Sequence, residues 1–251
     1  ILKDCVKHKK HLLCEKPIAP NLEDGKEFIS IAKAADIKVL IGYILRYNET
    51  YKKVADMVKD GAIGSPIIFR MTKNHQALQW DKYLTLIKES SPIIDCGVHY
   101  IDVCRWFTGA EVTNISGISM TTEEDVPEGK YNYGMITFRL SDESTAFYEV
   151  GWSKSISNDN TKEFIGPKGR IRIIERDERA FGKENGDLIE YYDAESMEYN
   201  NSDVDCKRRP TGAELDRLID MIENDVPPIP SLDDVFISFE TVIKADKIIK
   251  G

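Results

Sequence analysis

Apolar positions in the first sixty residues follow two periodicities in turn. Leu12-Leu13-Cys14 is a short apolar run between the basic Lys7-His8-Lys9-Lys10-His11 and Glu15-Lys16-Pro17, and it predicts a brief buried strand. Asn21 then caps a helix, with Asp24 at the third position and Phe28, Ile29, Ala32 and Ala35 on one face. Asp36 opens a turn into a strand over Lys38 to Gly42, and a second helix runs from Glu49 to Asp60 with Gly61 as its left-handed cap. Strand, helix, strand, helix in this order predicts the tail of an α/β region.

From Pro66 the pattern changes. Pro66 to Lys73 is apolar and β-rich, and after one intervening helix come strands at Val112 to Met120, Tyr131 to Leu140, Ser144 to Trp152, Glu163 to Ile165 and Arg170 to Ile174. Turn material such as Ser141-Asp142-Glu143 and Gly166-Pro167-Lys168-Gly169 separates them, which suits hairpins. Alternation in Tyr131 to Leu140 is imperfect, so one sheet face is expected to be covered by helices. Acidic, Tyr-rich Asp187 to Asp205 reads as a loop or edge excursion, and two helices close the chain, one over Ala213 to Glu223 and one after a Ser231/Asp234 capping box. The predicted class is α+β: a large, predominantly antiparallel open sheet with helices on one face, following an α/β segment.

Ser91 to Gly109 is the segment with the most unusual chemistry. It reads as a helix with Ser91 as N-cap, Pro92 at the first position and Gly109 past the end. Ile93, Ile94, Val98, Ile101, Cys104 and Phe107 make most of its circumference apolar, while Asp95, His99 and Asp102 fall at i, i+4 and i+7 as one polar stripe. Ionisable groups on a mostly buried helix are costly unless paired or facing a cleft, which makes the stripe a candidate active-site wall. A plain Asp–His pair supporting the helix is the competing reading. Lys16 follows a strand end, where a lysine can reach a substrate hydroxyl; the blander reading is a surface lysine before a turn proline.

Composition narrows the classes. The 251 residues carry 34 Lys+Arg against 43 Asp+Glu, a formal net charge of −9, with basic residues scattered, which argues against nucleic acid and anionic membranes as partners. No apolar run approaches the roughly 18–20 residues of a membrane span. Five cysteines without a C-x-x-C pair suit a reduced, cytoplasmic chain. No metal site is expected, since the Asp/His stripe has no third ligand at suitable spacing.

Leu13-Cys14-Glu15-Lys16-Pro17-Ile18-Ala19, Ile41-Gly42-Tyr43 leading to Arg46-Tyr47-Asn48, Gly61-Ala62-Ile63-Gly64, and Asp95-Cys96-Gly97-Val98-His99-Tyr100-Ile101-Asp102 with Arg105-Trp106-Phe107-Thr108-Gly109 follow one another in order. Together they resemble the successive signatures of the Gfo/Idh/MocA oxidoreductases. The resemblance implies a nicotinamide-dependent enzyme, using NAD or NADP on a sugar, inositol or related polyol or ketone. It implies that Lys16 hydrogen-bonds the reacting oxygen and the nicotinamide ribose, that His99 is the general acid/base, and that Asp95 orients substrate and ammonium. Glu15, Lys16, Pro17 and Arg46 become the cofactor-side residues, with a cis bond before Pro17. Asn74 and Trp152, at strand ends, join Lys16, Asp95 and His99 as substrate-side positions. A homo-oligomer formed through the sheet face is implied as well.

The sequence departs from that pattern in two places. Only fifteen residues precede Lys16, and none of the sixteen glycines forms a G-x-G, so the phosphate-binding turn of a dinucleotide fold is not in this sequence. Ser90-Ser91 stands where a Gly-Gly is common. The expectation is therefore a remnant of a Rossmann dinucleotide-binding domain over residues 1–42 and a substrate-binding, catalytic α+β domain over 43–251, with the closing helix placed to pack back on the remnant. Such a chain is expected to bind NAD(P)H poorly and to be inactive alone. Two other readings stand beside it: a sugar-sensing or interaction module on the same scaffold, and an enzyme that cleaves glycosidic bonds through transient oxidation.

Overall fold

The computed structural model describes residues 1–175, 186–207 and 209–250. A short helix α1 (Leu2–Lys7) leads into β1 (Leu12–Glu15), α2 (Leu22–Ala34) and β2 (Val39–Gly42). β1 and β2 pair in parallel, with Glu15 opposite Gly42 at their carboxyl ends. The cap works as the sequence predicts: Asn21 Oδ1 accepts the Asp24 N–H at 2.9 Å. A 3-10 turn (Ile44–Tyr47) then leads to α3 (Glu49–Lys59), which begins on Asn48 and ends before Gly61 at φ +79°.

The rest of the chain builds an eight-stranded sheet from β3 (Ile68–Gln76), β4 (Val112–Met120), β5 (Tyr133–Leu140), β6 (Thr145–Ser153), β7 (Lys162–Gly166), β8 (Gly169–Ile174), β9 (Asp187–Asp193) and β10 (Glu198–Val204). Their order is β10-β9-β8-β7-β3-β6-β5-β4. Every pairing is antiparallel except β3 with β6, at the centre of the sheet. Between β3 and β4 lie α4 (Trp80–Glu89) and α5 (Val98–Thr108), and α6 (Thr211–Asn224) and α7 (Leu232–Lys250) close the chain. The capping box forms: Ser231 Oγ accepts the Asp234 N–H and donates to its carboxylate at 2.7 Å.

Burial alternates strictly along β5 even where residue types do not, and the buried face carries Ile136, Phe138, Tyr148 and Val150. One continuous apolar core joins that face to α5 and α7, to α3, and to the parallel strands through Val39 and Ile41. α7 packs on α2 as well as on α5 and β4. The α2 approach is close enough that a Cβ at Gly25 would come within 2.2 Å of the Phe239 ring. No helix among the described residues is long and apolar enough to cross a membrane.

Three expectations need correction. Of the two readings of Asp187 to Asp205, the edge excursion holds and the loop does not: it folds as the β9–β10 hairpin at the edge of the sheet, and β10 reads as irregular because an edge strand with nearly every residue exposed needs no apolar alternation. Two helices, not one, separate β3 from β4. α4 places Trp80, Tyr83, Leu86 and Ile87 at helical spacing, a pattern its charged neighbours obscure. Finally, the 91–109 segment is not a uniform α-helix, because a π turn spans Ile93–Gly97 before α5 begins.

Candidate active site

Lys16 leaves the carboxyl end of β1 after Glu15, and its peptide bond to Pro17 is cis, as the resemblance implies. Open α/β sheets bind ligands just beyond strand ends of this kind. The ammonium of Lys16 donates to the Asp95 carbonyl at 2.6 Å and to its carboxylate at 2.9 Å. The π turn offers both oxygens of one residue to one cation. Ser91 holds the start of this helix by accepting the Ile94 N–H at 3.1 Å, and its hydroxyl donates to Asp246.

One turn on, half-buried His99 lies between Tyr43, whose ring meets it edge-on at 6.0 Å, and a cavity of about 270 Å³ that it helps to line. Its Nδ1 is buried with no hydrogen-bond partner. Burial, reinforced by the Lys16 and Lys73 ammoniums, holds the imidazole well below its ordinary value of 6.5, so His99 is a neutral proton acceptor at physiological pH. Lys16, Asp95 and His99 all line this cavity, together with Lys73, His75, Cys96, Tyr100, Glu175 and Arg209. Burial and the Asp95 charge push the Cys96 thiol up to about 12, which removes it as a nucleophile.

Asp102, third in the stripe, does not reach the cavity. Its side chain is 2% exposed and takes two hydrogen bonds from Arg46, at 2.8 and 2.9 Å. Arg46 in turn lies over the Trp106 ring, 4.8 Å from its centroid. A bidentate fork thus holds Arg46 against the buried carboxylate, and Arg46 is not among the residues lining the cavity. Glu15 also faces elsewhere: its carboxylate and that of Glu214 on α6 approach the Cα of Gly42 so closely that a Cβ there would lie 3.3 and 3.4 Å from them. Burial, then Glu15, raises Glu214 to about 7. Pro17 lines a neighbouring groove of about 750 Å³ that shares Asp95 with the cavity.

Neither of the two substrate-side positions expected on the sheet lines this cavity. Asn74 points to the face away from the helices and donates to Glu149 at 2.7 Å; its neighbours Lys73 and His75 are the ones that line the cavity. A strand alternates faces residue by residue, so neighbouring positions fall on opposite sides of the sheet. Trp152 is 2% exposed, packs on Tyr83 at 5.7 Å and borders the groove behind Asp95 rather than the cavity. A polar side chain at helix-facing parity was the available signal, since Phe69 and Met71 mark that face in β3. Among the described residues no cluster of three or more His, Cys, Asp and Glu could hold a metal.

Residues 51–172 match the family model described as the GFO/IDH/MocA C-terminal domain, and residues 1–43 match that of the oxidoreductase family with an NAD-binding Rossmann fold. Among relatives, a myo-inositol 2-dehydrogenase of Thermotoga maritima is 30% identical over 170 residues, covering 66% of this chain and 50% of that protein. A scyllo-inositol 2-dehydrogenase (NAD(+)) of Bacillus subtilis is 26% identical over 65% of this chain and 48% of its own length. The chain thus spans about half the length of the relatives it matches. In fold it is similar to the aldose-aldose oxidoreductase of Caulobacter crescentus, with a TM-score of 0.78, 22% identity, and coverage of 98% of this chain and 72% of that one. With both family models matched in their proper order, and the Glu-Lys-Pro turn brought against the Asp-x-x-x-His helix, the chain belongs to the Gfo/Idh/MocA family of oxidoreductases.

Proposed function

We propose that this chain carries the substrate-binding and catalytic part of an NAD(P)-dependent oxidoreductase acting on a sugar, inositol or related polyol or ketone. The supporting observation is the convergence of Lys16, Asp95 and His99 on one cavity at the carboxyl end of β1. The residues present suit the reacting end of a nicotinamide: an ammonium held in place by Asp95, a neutral imidazole, and a lining open to a polyol. They do not include a turn for the pyrophosphate, since no G-x-G occurs in the 251 residues. When bound, NAD(P) supplies the hydride acceptor or donor.

The chain's own residues handle the oxygen and its proton. A carbinol carbon that gives up hydride must also release the hydroxyl proton, and a neutral imidazole facing the cavity can accept it. Lys16 stabilises the alkoxide character that develops on the oxygen, and Asp95 fixes the ammonium so that this costs no reorganisation. In reduction the same groups run in reverse, His99 returning the proton.

On this reading the chain by itself binds NADH and NADPH weakly, and calorimetric titration showing micromolar binding would refute that part. In an enzyme form with a complete dinucleotide-binding domain, Lys16→Met lowers polyol-dependent nicotinamide reduction by about 10²-fold or more. Wild-type turnover in that variant would defeat the role assigned to Lys16. The sheet face away from the helices exposes Ile68, Ile118, Met120 and Phe147, a surface suited to homo-oligomer formation. Light scattering that finds only monomer at high concentration would overturn self-association.

A further inference from the structure

The contact between Lys16 and Asp95 is only as well placed as the π turn that carries Asp95. Behind that turn, outside the cavity lining, lies a buried carboxylate. Asp246, on α7, is 6% exposed, and one of its oxygens accepts two hydroxyl hydrogen bonds, from Ser91 and from Tyr131, each at 2.5 Å. Its other oxygen meets the Lys250 ammonium at 2.7 Å. A carboxylate at this depth is tolerated because its lone pairs are met in this way.

Ser91 connects this carboxylate to the site. It is 1% exposed; its hydroxyl accepts the Ile94 N–H at 3.1 Å, and its carbonyl accepts the Asp95 N–H at 2.9 Å. A hydroxyl has one proton to give, so donation to Asp246 fixes the Ser91 rotamer and leaves a lone pair for Ile94. Asp95 is thereby held at its amide, while its carbonyl and carboxylate go to Lys16 at 2.6 and 2.9 Å. Ser91 is one of the two serines that stand where a Gly-Gly is common, and a glycine could make neither side-chain bond. α7 supports the other partner too, because it packs on α2, the helix that follows Lys16.

We propose that Asp246 is a positioning residue for the site: through the Ser91 hydroxyl it braces the π turn in the arrangement that brings both Asp95 oxygens to the Lys16 ammonium. This rests on the oxidoreductase reading above, which it deepens by giving the Lys16–Asp95 pair a support remote in sequence. An ammonium that stabilises a developing alkoxide does so without reorganisation only if its own partner is held by a second layer of hydrogen bonds. Loss of the brace frees Asp95 and leaves the surrounding core in place.

The test is the rate at which acetic anhydride modifies Lys16 in the chain, read by peptide mass spectrometry against Lys162, which is fully buried and reports general opening. Asp246→Ala raises the ratio of Lys16 to Lys162 labelling by about fivefold or more, because an ammonium no longer held by two oxygens spends more time open to the reagent. Asp246→Asn, whose side-chain oxygen still accepts from Ser91 and Tyr131, stays near the wild-type ratio. Asp102→Ala removes a buried ion pair elsewhere on the same helical segment and leaves the ratio where it was, which separates positioning from stability. If Asp246→Ala fails to fold, Ser91→Ala, which leaves Asp246 its bonds from Tyr131 and Lys250, must still raise the ratio. A ratio unmoved by Asp246→Ala or by Ser91→Ala, Asp246→Asn labelled as fast as Asp246→Ala, or an equal rise in Asp102→Ala would each overturn the brace. In polyol-dependent turnover Asp246→Ala lowers kcat with KM little changed, and Asp246→Asn recovers most of the loss. Labelling needs no turnover, so the two readings fail separately. The expected ratios in a protein without polyol-dependent turnover would sink the oxidoreductase reading and leave the brace standing, whereas turnover with unmoved ratios would do the opposite.

Discussion

Asp95 and Asp102 sit seven residues apart on one helical segment, each paired with a basic side chain from the N-terminal part of the chain, and they do different things. Asp95 is a third exposed, belongs to a π turn, and offers a carbonyl and a carboxylate to the single flexible ammonium of Lys16. Asp102 is buried in regular α-helix and locked into the planar fork of Arg46, which is itself stacked on Trp106. A lysine that must meet a ligand needs one point charge with room to move. An arginine that joins two parts of a fold needs two parallel hydrogen bonds and no freedom. Burial pushes the Asp102 carboxyl up while the Arg46 hydrogen bonds pull it back, so removing the guanidinium leaves a charge with nothing to offset it.

The sharpest way to break this contrast is to exchange the readouts. His99→Asn, at the Asp95 end, is expected to lower polyol-dependent turnover by about 10²–10⁴-fold, with the denaturant midpoint little changed. Comparable turnover in this variant and wild type would remove His99 as the acid/base. Asp102→Ala is expected to do the reverse. Leaving Arg46 partly buried and unpaired costs about 3–5 kcal/mol in urea unfolding, while the folded fraction retains most of its substrate binding. If Asp102→Ala abolished binding in a protein of unchanged stability, Asp102 would belong to the site after all.

The elements and the motif residues were legible from residue order, whereas the division between the two aspartates was not, and there is a physical reason. Caps at Asn21 and Ser231 involve side chains three residues from the groups they satisfy, so they can be read locally. Lys16, Asp95 and His99 were legible through their motifs, although Lys16 and Asp95 meet across 79 residues of chain. What could not be read was which way each candidate points. A stripe at i, i+4, i+7 assumes a regular helix, and the π turn at Ile93–Gly97 shifts Asp95 relative to Asp102. Strand parity around Asn74 depends on where the sheet finds its helices, which residue order near the strand end does not show. Lys73, His75 and Lys162 share the parity of Phe69, Met71 and Phe164, and a polar residue at apolar parity marks the cavity wall. Glu175 and Arg209 come from irregular segments remote in sequence, and no local signal announces them.

The mildest test concerns the field that separates the two ends of the helix. Burial is the first cause of the lowered His99 value, with Lys16 and then Lys73 adding to it. Because the folded-state value lies below the unfolded one, the unfolded chain takes up the imidazole proton first as pH falls. Stability supplied by neutral His99 is therefore present above its ordinary value of 6.5 and lost progressively below it. Lys73→Met removes one of the two cations but leaves the burial, so the His99 resonances in an NMR titration move upward while staying below 6.5. The acid-side loss of stability becomes shallower by the same linkage. Arg46→Met, which disturbs the other pair, should leave the titration where it was in any protein that still folds. A His99 titration unchanged by Lys73→Met, or moved equally by Arg46→Met, would mean that the two ends of the helix share one electrostatic environment and that the contrast between them is only one of exposure.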